Sequence, residues 1–96
     1  MSSKGLVNTT QYEQEYIIEF GKSLRDLRQS IAKKSLRIFS YETDVPCATL
    51  SRIENGLRIP NIVILKRIAA GLDWSLAELI DKIENNINDN VKHFEI

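Results

Sequence analysis

Two prolines fence a short segment near the middle of the chain, VPCATLSRIENGLRIP at residues 45–60. A proline keeps the residue before it out of the helical region and itself suits the first helical position, where no N–H is needed. Val45 is therefore expected to be extended, with a helix starting at Pro46. That helix should end at Asn55, because Gly56 can take the positive φ that closes a helix. Between these limits only Leu50 and Ile53 are large and apolar, whereas a helix serving only to fill a core carries a wider apolar stripe. At ~100° per residue, Cys47, Ala48, Ser51 and Arg52 fall in an arc of about 140° on the opposite side. Small side chains let a helix approach a surface closely, and an arginine can bond both O6 and N7 of a guanine. The pattern suits a helix that buries one face and offers the other to a DNA major groove. Taken alone, it equally suits an ordinary surface helix with a few small residues.

The rest of the chain also reads as helix, with no alternating strand pattern and no hairpin signal. Tyr12, Tyr16, Phe20, Leu24, Leu27 and Ile31 follow steps of three and four and mark one face. Thr10 and Glu13 form a capping-box pair, so helix 1 is predicted over Gln11–Ile31. Gly21 inside it costs about 1 kcal/mol relative to alanine, which makes a break there an option. A loop, SIAKKS, follows. Helix 2 is predicted over Leu36–Thr43, capped by Ser35 and anchored by Phe39, with Asp44 left-handed at its end. The connection to helix 3 is then a tight turn, within the range of a helix-turn-helix. Helix 4 opens at Pro60 and Asn61, buries Ile62, Leu65, Ile68 and Ala69, and closes at Gly71 or Asp73. Ser75 and Glu78 form a second capping box before a helix carrying Leu76, Leu79, Ile80 and Ile83. The expected organisation is all-α: a flexible N-terminus at 1–10, one domain at 11–84, and a frayed tail at 85–96.

Composition removes several function classes. A chain of 96 residues has room for one modest core. The single cysteine, Cys47, excludes an internal disulfide and an all-cysteine zinc site, and the single histidine, His93, leaves no histidine triad or metal cluster. The expectation is a protein that is not an enzyme and uses no cofactor. No apolar run approaches the ~20 residues of a membrane helix, and MSSKGLVNTTQ lacks the apolar core of a secretory signal, so a cytoplasmic location is expected. Net charge is zero, but residues 21–58 carry eight basic against four acidic side chains, and each flank sums to −2. A basic middle is compatible with a positive face on a neutral protein.

From Phe20 to Ile80, about two thirds of the chain, the sequence resembles the Cro/CI-type (lambda-repressor-like) helix-turn-helix family of bacterial and phage DNA-binding proteins. The segments that carry the resemblance are FGKSLRDLR, TLSRIENGLRIP and LKRIAAGLDWSLAELI. It implies a five-helix bundle, here with an extended helix 1 and a C-terminal helical tail, in which helix 3 is the recognition helix. Cys47, Ala48, Ser51 and Arg52 match the base-contacting positions. Thr49 matches a position that touches phosphate, and Asn55, Gly56 and Arg58 match the loop that approaches the DNA backbone. Arg28 and Glu54 match an ion pair that ties helix 1 to helix 3. Trp74 is expected to fill the core between helices 4 and 5, and the exposed surface nearby is the family's usual dimer contact.

The chain departs from the family pattern in several places. Leu36 stands where a phosphate-contacting glutamine is common, Asp44 and Asp73 replace turn glycines, and the loop before helix 2 is one residue longer. Cys47 and Ala48 read bases poorly, so specificity should lean on Arg52, thymine methyls and DNA shape. Cys47 also lies in a first helical turn, where the dipole can lower a thiol pKa, and its oxidation would add negative charge to the DNA-facing side. The resemblance implies a transcriptional regulator, a repressor, that binds double-stranded DNA as a homodimer. Three other readings stay open: an antitoxin with a protein partner on its N-terminal extension or C-terminal tail, a restriction-modification controller, or an interaction adaptor that kept the fold.

Overall fold

The first helix is longer than its capping pair predicts. In the computed structural model, which describes residues 2–90 and the side chains of 11–87, helix α1 runs Ser2–Leu27. Helical backbone passes through Thr10, so Thr10 and Glu13 do not start a helix. The flexible segment expected at 1–10 is helical backbone from Ser2 onward, and its side chains lie outside the described residues. Gly21 causes no break.

After Leu27 the backbone widens into a π-helical turn, Arg28–Ala32, closed by Lys33 at φ 56°. A π turn takes one more residue than an α turn. The extra residue before helix 2 is absorbed here, and the predicted loop shrinks to 33–35. The wider turn also shifts the phase of the apolar face, leaving Ile31 49% exposed where burial was expected.

Local signals place the next elements well. α2 is Leu36–Thr43, and the Ser35 hydroxyl accepts the Ile38 N–H at 3.2 Å. Asp44 follows at φ 59°. α3 is Cys47–Glu54, with Pro46 as its cap instead of its first residue and the Leu50 N–H bonded to the Pro46 carbonyl at 3.0 Å. α4 is Ile62–Gly71, where Asn61 accepts the Ile64 N–H at 2.8 Å. α5 is Leu76–Asn90, and its capping box is formed in both directions: Ser75 N–H to Glu78 at 2.7 Å, and Glu78 N–H to the Ser75 hydroxyl at 3.1 Å.

Two assignments need correction. The buried stripe of α4 is Ile64, Ile68 and Ala69 with Leu65 at its edge, while Ile62 is 67% exposed. The run Ile62-Val63-Ile64-Leu65 contains no polar residue to fix its phase, so spacing cannot choose among its members. The tail does not fray at 85. α5 continues to Asn90, and Ile87 is 2% exposed in the core; residues 91–96 lie outside the described residues.

The five helices, with no strand among the described residues, enclose one core centred on Leu24, Phe39, Leu50, Ile68, Leu79 and Ile83. α1 packs against α3 and α5, α2 against α3 and α4, and α4 against α5. Phe20 is buried, and the half-buried Tyr16 packs at the core's edge. The Tyr16 hydroxyl donates to the Glu84 carboxylate, and Asn86 Nδ2 donates to the Ser23 hydroxyl at 2.9 Å, so α1 is held by α5. Burial pushes the Tyr16 phenol pKa up and the Glu84 carboxylate adds to the shift, which keeps the donor proton in place. Tyr12 is 43% exposed. Trp74 is half-buried against the core's edge and does not fill its centre. No helix among the described residues is long and apolar enough to cross a membrane.

Candidate nucleic-acid interface

Burial divides α3 as its sequence predicts. Leu50 and Ile53 are at most 1% exposed, and Glu54 is 4% exposed beside them. Cys47, Ala48 and Arg52 are exposed and Ser51 is half-buried, so the four expected base contacts share the outward arc. Cys47 is a free thiol. Arg52 makes no hydrogen bond or ion pair among the described residues, which leaves its guanidinium available to a partner molecule.

The depth at which α3 sits is set by α1. Gly21 faces the end of α3 so closely that a Cβ there would stand 2.3 Å from the Ile53 carbonyl oxygen and 2.6 Å from that of Glu54. Seven residues further on, at the start of the π turn, Arg28 reaches the same place. Its Nε donates to Glu54 Oε2 at 2.7 Å and its Nη2 to Oε1 at 2.9 Å, with Arg28 only 7% exposed. The Glu54 hydrogen bond raises the arginine's pKa, although burial alone would lower it. Arg28 Nη1 also donates to the Lys34 carbonyl at 2.9 Å, which ties the π turn into the same network. A charged pair this deep is tolerated because both carboxylate oxygens are bonded by the guanidinium.

Not every predicted phosphate contact is presented to the outside. Thr49 is 8% exposed and lies on the buried side, at about 200° from Cys47 when α3 is counted at ~100° per residue. Gly56 takes φ 73°, and its N–H is already donated to the Ile53 carbonyl at 3.1 Å. Its lack of a side chain serves packing instead, since a Cβ would meet Ile18 Cγ1 at 2.9 Å. Asn55 and Arg58 are exposed. The Arg58 guanidinium has no partner among the described residues, and its stem borders an apolar cleft of about 190 Å³ walled by Tyr16, Phe20, Ile53, Ile59 and Leu65. Leu36 is half-buried against the core, where a glutamine would reach for phosphate.

One cation was missed. Arg25 of α1 donates through Nη2 to Asn55 Oδ1 at 2.7 Å and through Nε to Glu54 Oε1 at 3.4 Å. The signal was present in its spacing, because Arg25 and Arg28 are three apart on one helical face.

The sequence profile of the helix-turn-helix family matches residues 24–79. A control protein, C.MunI, from a Mycoplasma species is 39% identical over 67 residues, which cover 70% of this chain and 90% of that protein. No solved structure gives a significant match.

Proposed function

The chain belongs to the Cro/CI-type helix-turn-helix family of DNA-binding regulators, and on that premise we propose that it binds double-stranded DNA in a sequence-specific way, as a homodimer, to regulate transcription. The observation that carries this reading is the outward arc of α3, where small side chains surround Arg52, which has no partner among the described residues, while the other face is sealed into the core. Similarity to a control protein favours the restriction-modification controller over the antitoxin and the adaptor. Repression is the expected direction, and the cytoplasm the expected location. Half-sites of a two-fold operator would lie about 34 Å apart, one turn of DNA, to match the two recognition helices.

The test is a pair of substitutions measured on a duplex selected from random DNA and on a scrambled duplex. Arg52→Ala is expected to weaken the selected duplex by roughly 5- to 150-fold per half-site and to flatten preference at one base position in each half. Arg58→Ala should weaken both duplexes alike and reduce the salt slope by about one per subunit. Equal losses on both duplexes for Arg52→Ala would mean that α3 does not read bases. A wild-type chain that bound neither duplex at low salt would replace the regulator with the adaptor.

The proposed dimer would form on an exposed apolar surface. Leu57, Ile59, Ile62 and Val63 are all more than half exposed, crowded into one short linker and the first turn of α4. Exposed apolar groups gathered this closely are usually covered by a partner. Ile62→Glu is expected to shift the mass in sedimentation from dimer to monomer and to weaken operator binding with it. An unchanged mass would place the dimer contact elsewhere.

A further inference from the structure

We propose that Arg25 on α1 makes a DNA phosphate contact at the C-terminal end of α3, and that Asn55 is the residue that positions it. The proposal rests on the DNA-binding reading above and adds a residue to it. Counted at ~100° per residue, Asn55 falls about 80° from Cys47, between Ser51 and Ala48, in the middle of the outward arc. A group held by the Asn55 side chain is therefore held on the face offered to DNA. Arg25 is that group, with a 2.7 Å bond to Asn55 Oδ1.

Charge accounting points the same way. Two guanidinium groups stand beside one carboxylate. Arg28 takes both Glu54 oxygens in short bonds and is almost fully buried, whereas Arg25 reaches Glu54 only at 3.4 Å and its side chain is 42% exposed. The surplus positive charge therefore sits on Arg25, at the surface. Its Nη1 group and one hydrogen of Nη2 have no partner among the described residues. Arginine presents such groups in a fixed fork that matches phosphate oxygens. Asn55 has less to offer on its own. Its oxygen is taken by Arg25, and its Nδ2 donates to the Ser51 carbonyl at 2.9 Å, which fixes the amide's orientation. The asparagine expected to meet phosphate is better placed to aim a stronger donor at it.

The experiment compares wild type, Arg25→Gln and Asn55→Ala on the selected and scrambled duplexes across a range of salt. Arg25→Gln should weaken both duplexes by about tenfold, the scale of losing a hydrogen bond to a charged group, and lower the salt slope by about 0.9 per subunit. The double variant should bind no worse than Arg25→Gln alone, because Asn55 acts through Arg25. Methylphosphonates, which remove charge from one DNA phosphate at a time, give a readout that a purely structural role would not move. Wild type should lose affinity at one more position per half-site than Arg25→Gln does. If Arg25→Gln melts below the assay temperature, Arg25→Met, which keeps the stem, takes its place. An unchanged salt slope and an identical methylphosphonate profile would make Arg25 a structural tie only. If wild type bound no duplex at all, the regulator reading would fall, and this proposal with it.

Discussion

Glu54→Ala is expected to cost about 3–5 kcal/mol of stability, as removal of one partner from a buried ion pair does. Glu54 is 4% exposed and holds Arg28 through two bonds of 2.7 and 2.9 Å, with Arg25 at 3.4 Å as a second cation. Without the carboxylate, a buried guanidinium is left with no anion and a second cation beside it. Arg28→Ala should be milder. Arg25 already lies within reach of Glu54 and can move in to neutralise it, so the carboxylate is not left alone. The two variants therefore differ in a predictable order, with the glutamate the worse loss. For a domain of this size 1 kcal/mol corresponds to about 4–8 °C in Tm, so Glu54→Ala should melt at least about 12 °C below wild type. Urea denaturation of both variants measures the order directly. Equal losses, or a Glu54→Ala cost under about 1 kcal/mol as for a surface pair, would show that the pair is not the clamp between α1 and α3.

Gly21→Ala is the second large effect, and its sign separates two arguments. Helix propensity alone predicts a gain of about 1 kcal/mol for alanine over glycine inside a helix. The tertiary contact predicts the reverse. The new methyl would stand 2.3 and 2.6 Å from two backbone carbonyl oxygens of α3, which cannot swing aside as a side chain can. α1 and α3 would have to separate, loosening Phe20 and Leu24 against Ile53. Overpacking of this kind costs about 1–3 kcal/mol, and the backbone contact places Gly21→Ala near 3 kcal/mol. The same displacement would tilt α3, so on the proposed reading DNA affinity should fall even at temperatures where the variant stays folded. A variant as stable as wild type, or more so, would show that the approach of α1 to α3 is looser than the carbonyl distances require.

The helix-turn-helix was legible wherever a decision depended on neighbours within a turn or so of chain. Ser35, Asn61 and the Ser75–Glu78 pair cap as their residue types dictate, and Asp44 and Asp73 take the left-handed conformation where the chain lacks glycine. The outward arc of α3 followed from rotation per residue alone. The same arithmetic would have put Thr49 on the buried side, but its assignment followed the family pattern instead. The Arg28–Glu54 bond, 26 residues apart in sequence, came from resemblance and not from spacing.

What escaped the sequence shares a physical cause. Isoleucines 62 and 64 differ in no property that an isolated helix could use, and only the position of α2 and α5 decides which one is buried. The π turn at Arg28–Ala32 brings no local signal of its own, and Arg28 at its start bonds both Glu54 and the Lys34 carbonyl. Gly21 reads as a weak point in a helix until α3 is laid against it. Gly56 reads as a free loop donor until its N–H is found on Ile53. Arg25 and Asn55 lie 30 residues apart and meet only where α1 crosses the end of α3. Local backbone preference and amphipathic rotation are written into a few consecutive residues, so the chain alone determined the bounds of α2, the start and end of α4, the start of α5 and the face of α3 that turns outward. How closely two helices approach, and which polar groups they share, is a property of the pair, so only the tertiary structure decided it.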